Sequence, residues 1–251
     1  MTHTHTHTHK HTHSLTHTQA ESLQTNSRLT HLSLRHNRIG NEGCAALADI
    51  FPLLPRGPGV SVCRLQALHV SGNEIGDQGA VHLLNRLAQS SRVSTEGNST
   101  HKASAPSSQG AQMTSLDLSS NNLSERTADA AGLLLADNST LQTLALAQNR
   151  LGSGGLRQLA AGLGRNMGTL TQLDVRDAGG DETCVGALAA AIQARGAVTL
   201  LRVDGNDFNY DSAQLLAGVV AKNAASRKAS QGRRLGLQLV RASCVPAPNH
   251  P

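Results

Sequence analysis

Residues Leu29–Ile50 read LTHLSLRHNRIGNEGCAALADI, and their spacing of leucine, asparagine and glycine returns five more times downstream. Aligned on the asparagine, the six units are LTHLSLRHNRIG, LQALHVSGNEIG, MTSLDLSSNNLS, LQTLALAQNRLG, LTQLDVRDAGGD and VTLLRVDGNDFN, with anchors Asn37, Asn73, Asn121, Asn149, Ala178 and Asn206. The anchors lie 36, 48, 28, 29 and 28 residues apart. A period of about 28 residues, stretched by insertions after the first and second units, is the signature of a repeat architecture.

Each unit carries two periodicities. Leu32 and Leu34, or Leu116 and Leu118, alternate with polar neighbours, as in a short strand with one face buried. Past the asparagine the spacing changes: Gly79, Ala80, Leu83, Leu84 and Leu87, like Leu156, Leu159 and Leu163, recur at i, i+3, i+4 and i+7. That is the stripe of an amphipathic helix. Asn41, Asp77 and Ser153 mark the helix starts, because their side chains accept hydrogen bonds from free backbone amides. Strand then helix in every unit predicts an α/β solenoid of about six layers.

Composition agrees with many thin layers. Of 251 residues 38% are apolar, with no Trp, one Tyr and two Phe, so Leu, Ala, Val and Ile must build the core and no single deep core is available. Cys44, Cys63, Cys184 and Cys244 lack a metal-type CxxC pairing, and Cys44 and Cys184 fall inside units at small-residue positions, which reads as buried thiols. No apolar run is long enough to span a membrane, and the first thirty residues lack a signal-peptide core. The expected location is therefore cytoplasmic, with flagellar, ciliary or nuclear sites as alternatives. The sequons at Asn98, Asn122 and Asn138 are then chance matches.

The pattern LxxLxLxxNxIGxxGAxxLAxxL resembles the leucine-rich repeat of the ribonuclease-inhibitor-like subfamily from Leu29 to Asn223. The resemblance implies a partial horseshoe with strands on the inner face and helices outside. It implies that Asn37, Asn73, Asn121, Asn149 and Asn206 form a structural ladder of side-chain hydrogen bonds to adjacent turns. The fifth unit departs from the pattern, with Ala178 for the asparagine and Gly180 for the next apolar residue. A lost ladder side chain leaves a buried amide at a cost of about 1–3 kcal/mol unless water fills in. Local remodelling and ordinary drift are both open at this point.

Outside the units the composition shifts. Residues 1–28 begin with alternating Thr and His, a low-complexity tract that buries nothing; adventitious metal capture or a pH response are its functional readings. Residues 29–223 form the repeat domain, with insertions at 52–62, rich in Pro and Gly, and at 89–112, rich in Ser, Thr, Gly and Ala. Residues 224–251 are a basic tail or cap, in which Leu235, Leu237 and Leu239 alternate as in a capping strand. Arg227, Lys228, Ala229 and Ser230 resemble a basophilic kinase site. Of the formal charge of +5, residues 222–251 carry +6 and residues 1–28 carry +1, leaving −2 for the body.

In the resembled family, partners are held by outward side chains on the strands. Here these are Ser33, His69, Asp117, Ala145, Asp174 and Arg202 in one row, and Arg35, Ser71, Ser119, Ala147, Arg176 and Asp204 in the next. His69, Asp117, Asp174, Arg176, Arg202 and Asp204 are the candidate partner-binding residues; the last four, on strands about 5 Å apart, either form a binding patch or neutralise one another. Catalysis has little support: no nucleophile, base and orienter converge, and His69 beside Asp117 is the nearest approach. No cofactor or metal is implied. The expected function is a non-enzymatic scaffold that binds a protein partner through the inner face. Two alternatives are a GTPase-activating regulator resembling the Ran GTPase-activating protein, and an adaptor to nucleic acid or anionic membrane through residues 222–241. Members of the first family tend to carry an acidic tail, whereas this chain ends basic.

Overall fold

The computed structural model describes residues 22–23, 26, 28–51, 64–93 and 112–231. The Thr/His tract, Cys63, Cys244, most of both insertions, and Leu235, Leu237, Leu239, Arg233, Arg234 and Arg241 lie outside the described residues.

Among the described residues, six three-residue strands alternate with six helices. The strands are β1 (His31–Ser33), β2 (Ala67–His69), β3 (Ser115–Asp117), β4 (Thr143–Ala145), β5 (Gln172–Asp174) and β6 (Leu200–Arg202). The helices are α1 (Gly40–Ala48), α2 (Asp77–Val93), α3 (Glu125–Asp137), α4 (Gly152–Arg165), α5 (Glu182–Arg195) and α6 (Tyr210–Gln231). The strands form one parallel sheet in sequence order. Its register aligns Leu32, Leu68, Leu116, Leu144, Leu173 and Leu201. These leucines are at most 8% exposed and form one continuous core with helix residues such as Leu47, Leu84, Leu135, Leu159 and Leu188. Parallel strands on the concave face and helices on the convex face make this a leucine-rich repeat solenoid.

Three positions, counted from the anchor, hold most of the layers together. At the anchor itself, the Asn73 carboxamide oxygen accepts from the Asn37 and Ile39 amides, at 2.9 and 3.3 Å. Asn121 accepts in the same way from Asn73 and Ile75, and Asn149 from Asn121 and Leu123. Each Nδ2 donates in return, that of Asn121 to the Val70, Leu118 and Ser119 carbonyls. Asn37, in the first unit, donates to the Arg35 carbonyl. The residue before each anchor, namely His36, Gly72, Ser120, Gln148, Asp177 or Gly205, is left-handed, with φ from 49° to 73°. That turn carries the chain from strand to helix.

Four residues past the anchor stands the position that the sequence marks as a helix start. Its side chain reaches the neighbouring layer: Asn41 Oδ1 accepts from the Gly76 and Gly79 amides. Asp77 takes the Ser124 amide and the Ser124 and Thr127 hydroxyls. Ser153 takes the Asp181 amide, and Glu182 the Asn209 amide. These residues cap, but they cap the next unit's helix start. Helix α1 has Ile39, not a capping side chain, at its own N-terminus, and α4 has Leu151.

Seventeen past the anchor lies a third set, of which the sequence pointed to Asn138 only as a sequon. Asn138, Asn166 and Asn223 are 2%, 1% and 6% exposed. Asn138 Oδ1 accepts from the Thr140 and Leu141 amides, while Asn166 donates back to the Leu135 and Asn138 carbonyls. Asn138 and Asn166 tie the ends of α3 and α4 to the return toward the next strand, and Asn223, within α6, donates to the Ile192 and Val198 carbonyls at the end of α5. The signal was the same 28-residue period, visible between Asn138 and Asn166. Helix α6 continues eight residues past Asn223, through Arg227, whose Nη1 donates to the Ala197 carbonyl at 3.0 Å.

Candidate binding surface

The register sets the concave face. Ser33, His69, Asp117, Ala145, Asp174 and Arg202 stand side by side at the ends of the six strands, and Arg35, Ser71, Ser119, Ala147, Arg176 and Asp204 follow two residues on. The charged groups fall into two clusters on either side of β4, where both positions are alanine.

In the first cluster Arg35 reaches across β2, and its Nη2 donates to Asp117 Oδ2 at 2.8 Å. Asp117 Oδ1 also accepts from the Ser119 amide. His69 lies beneath this span with Nε2 3.4 Å from the Ser115 hydroxyl. Burial, and then the positive charge of Arg35, lower the His69 pKa from its ordinary value, with His31 adding to the effect and Asp117 opposing it. His69 and Asp117 are neighbours, but the carboxylate is bonded to a guanidinium and the imidazole faces a hydroxyl. That arrangement lacks the base–orienter hydrogen bond of a catalytic dyad.

In the second cluster Asp174 is 8% exposed and binds Arg176 in a fork, with Nε 2.9 Å from Oδ1 and Nη2 2.8 Å from Oδ2. Arg202 Nη1 stands 3.5 Å from the same Oδ2. The hydrogen bonds to Asp174 raise the Arg176 pKa above its ordinary value despite desolvation; the charges of Asp174, Asp204 and Asp177 act in the same direction. Of the six candidate partner-binding residues, the fold thus gathers Asp174, Arg176, Arg202 and the neighbouring Asp204 at one end. It keeps His69 and Asp117 at the other. Arg35, outside that set, is the residue that organises the first cluster; its signal was its place in the second outward row.

The fifth unit is filled from outside. A Cβ at Gly180 would overlap Leu156 and press on Phe208 and Asn206, so neighbouring side chains occupy the space that Ile39, Ile75, Leu123 and Leu151 fill in their own units. The Ala178 and Gly180 amides still donate to Asn206, at 3.2 and 2.9 Å. Ala178 offers no side-chain oxygen to the Asn149 and Leu151 amides behind it. The Gly152 amide donates to the Ala178 carbonyl at 2.9 Å.

Among the described residues no helix is long and apolar enough to cross a membrane, and no group of three or more His, Cys, Asp and Glu is placed to hold a metal.

A family model described as a leucine-rich repeat matches residues 25–48, 63–84 and 137–160. The chain is similar to NACHT, LRR and PYD domains-containing protein 5 of Homo sapiens, at 25% identity over 199 residues that cover 76% of this chain. It is similar to the Mus musculus protein of the same name at 25% over 202 residues, covering 77%. The chain spans only 16% and 17% of the length of these relatives. Among solved structures, the actin-binding site 2 of leiomodin-1 aligns at TM-score 0.47 and 11% identity, covering 84% of this chain and 91% of that one. An internalin from Listeria monocytogenes aligns at TM-score 0.42 and 18% identity, covering 76% and 46%.

Proposed function

We propose that this chain is a non-enzymatic scaffold of the ribonuclease-inhibitor-like type that binds a partner protein through the concave face of its leucine-rich repeat solenoid, and that His69, Asp117, Asp174, Arg176, Arg202 and Asp204 belong to the contact surface. One observation carries the reading. The buried polar side chains of the repeat are spent on holding the layers together, as with Asn73, Asn121, Asn149 and Asn166. The outward strand positions change from unit to unit, from Ser33 to Arg202, and their charged groups bond chiefly to one another, with Asp117 and Asp174 each also accepting one nearby backbone amide. Side chains free of a structural duty on a rigid sheet are the ones available for recognition.

The face has no Trp or Tyr anchor of the kind that dominates tight interfaces, so the expected complex is weak or transient. A photo-crosslinking residue placed at Ala145, on the concave face, and in a second variant at Arg157, exposed on α4, tests the proposal in cell extract. The expected result is a discrete crosslinked protein from position 145 and none from 157. Crosslinks from 157 alone would move the interface to the helices and sink the reading.

A further inference from the structure

The concave face is close to neutral by residue count but not by what it exposes. In each cluster the carboxylate lies deep and the guanidinium lies on top. Asp117 has a side-chain exposure of 14% against 48% for Arg35. Asp174 has 10% against 44% for Arg176 and 50% for Arg202. A guanidinium has five N–H donors. Arg35 spends Nη2 on Asp117, and Arg202 spends Nη1 on Asp174 at the long distance of 3.5 Å. Arg176 keeps Nη1 after its fork. The remaining donors of all three have no acceptor among the described residues. Asp204 and Asp177 also act on the charge of Arg176, and by strand order Asp204 lies on the side of the second cluster away from the alanines.

The register fixes the spacing. Asp117 pairs with Ala145, and Ala145 with Asp174, so the two anchored clusters sit two strands apart, about 10 Å. Between them Ala145, half-buried, and Ala147, 3% exposed, are the short side chains of a low saddle. Ten ångströms is about the rise of seven helical residues, i to i+7. We infer that the concave face is a two-point carboxylate receptor, whose partner is an acidic protein segment presenting two carboxylates about 10 Å apart with small side chains between them. Arg35 takes one carboxylate, Arg176 and Arg202 the other, and the segment crosses the strands on the alanine saddle. The buried aspartates hold each guanidinium in place before binding, which reduces the ordering cost.

This inference rests on the concave-face reading and deepens it. The test uses the full chain and a fluorescein-labelled, alanine-rich helical peptide with Glu at positions i and i+7, followed by anisotropy at about 20 mM salt, where exposed charges are little screened. The matched peptide with Lys at both positions and a ten-nucleotide RNA are the comparisons. The Glu peptide should bind saturably, the Lys peptide should not, and about 0.5 M salt should abolish the signal. Combined Arg176→Gln and Arg202→Gln should weaken binding roughly tenfold or more, as expected for lost charge-assisted hydrogen bonds. Ala145→Asp removes no contact of the folded protein and should weaken it similarly, which keeps the test valid if the arginine variants unfold. Equal binding of Glu and Lys peptides, no saturable binding of the Glu peptide, or RNA displacing it through the same arginines would overturn the inference. If those results came with crosslinks from position 145, the concave face would remain the docking surface and only its carboxylate chemistry would fall.

Discussion

The fourth unit is bonded differently on its two sides. Toward the third unit, Asn149 accepts from the Asn121 and Leu123 amides and donates to the Leu118 carbonyl. Asn166 donates to the Leu135 and Asn138 carbonyls. The helix backbones meet there: a Cβ on Gly162 would collide with the Gly132 carbonyl. Toward the fifth unit both asparagines are missing. Ala178 stands at the anchor and Arg195 seventeen residues on, where its exposed Nε donates to the Gly164 carbonyl at 2.9 Å. The Asp181 amide to the Ser153 hydroxyl, and Arg157 Nη1 to Thr183, add to that seam from the rim. A buried amide's hydrogen bond is costly to lose, whereas an exposed one is exchanged for water. The difference teaches that the layers do not share one stability, and that the solenoid should open more readily between units four and five than between units three and four. The change in bonding coincides with a change on the concave face, from Ala145 and Ala147 to Asp174 and Arg176.

The largest effect is expected from Asn149→Ala, which leaves two buried amides without an acceptor. At about 1–3 kcal/mol for each such group, the loss should be about 3 kcal/mol, read from the urea midpoint. A loss as small as that of an exposed substitution would erase the contrast between the seams. Gly162→Ala should cost about 1–3 kcal/mol through overpacking against the Gly132 backbone. A neutral result in thermal melts would show that the two helices are free to separate. Ala178→Asn, which restores the anchor, should stabilise by about 1 kcal/mol and slow hydrogen exchange at the Asn149 and Leu151 amides. Destabilisation would mean that the fifth unit has closed over the vacancy.

The smallest effect concerns the two described thiols. Cys44 and Cys184 are buried and unpaired; burial pushes the Cys44 thiol up to about 12 and raises that of Cys184 as well. Below pH 9.0, the ordinary value, the thiol is protonated in both folded and unfolded chains and its contribution to stability is complete. As pH rises from 9.0 toward 12 the unfolded chain ionises first, so that stability is lost. Near neutral pH in dilute urea, mass-resolved alkylation should mark Cys184, in the weakly tied unit, before Cys44. The opposite order would place the first opening at the N-terminal end.

The strands and helices were legible because period two and period 3.6 coexist in every unit, and Leu116 or Leu159 could sit nowhere but in the core. The helix starts at Asn41, Asp77 and Ser153 were legible as capping residues, yet each caps its neighbour, since sequence distance does not reveal which layer a side chain faces. Asn138 read as a chance sequon on the expected location alone, and its structural duty stayed hidden because a buried asparagine and an exposed one are the same letter. Arg35 was one outward residue among twelve until the fold carried it over β2 to Asp117, 82 positions away.

The sequence alone determined the repeat, its period, the alternation of strand and helix and the residues that must be buried, because these follow from local spacing and hydrophobicity. Tertiary structure alone decided which carboxylate each arginine would take, which end of each ion pair would face solvent, and how Leu156 and Phe208 would fill the space at Gly180. Those outcomes depend on distances between layers 28 or more residues apart, which are set only when the layers stack.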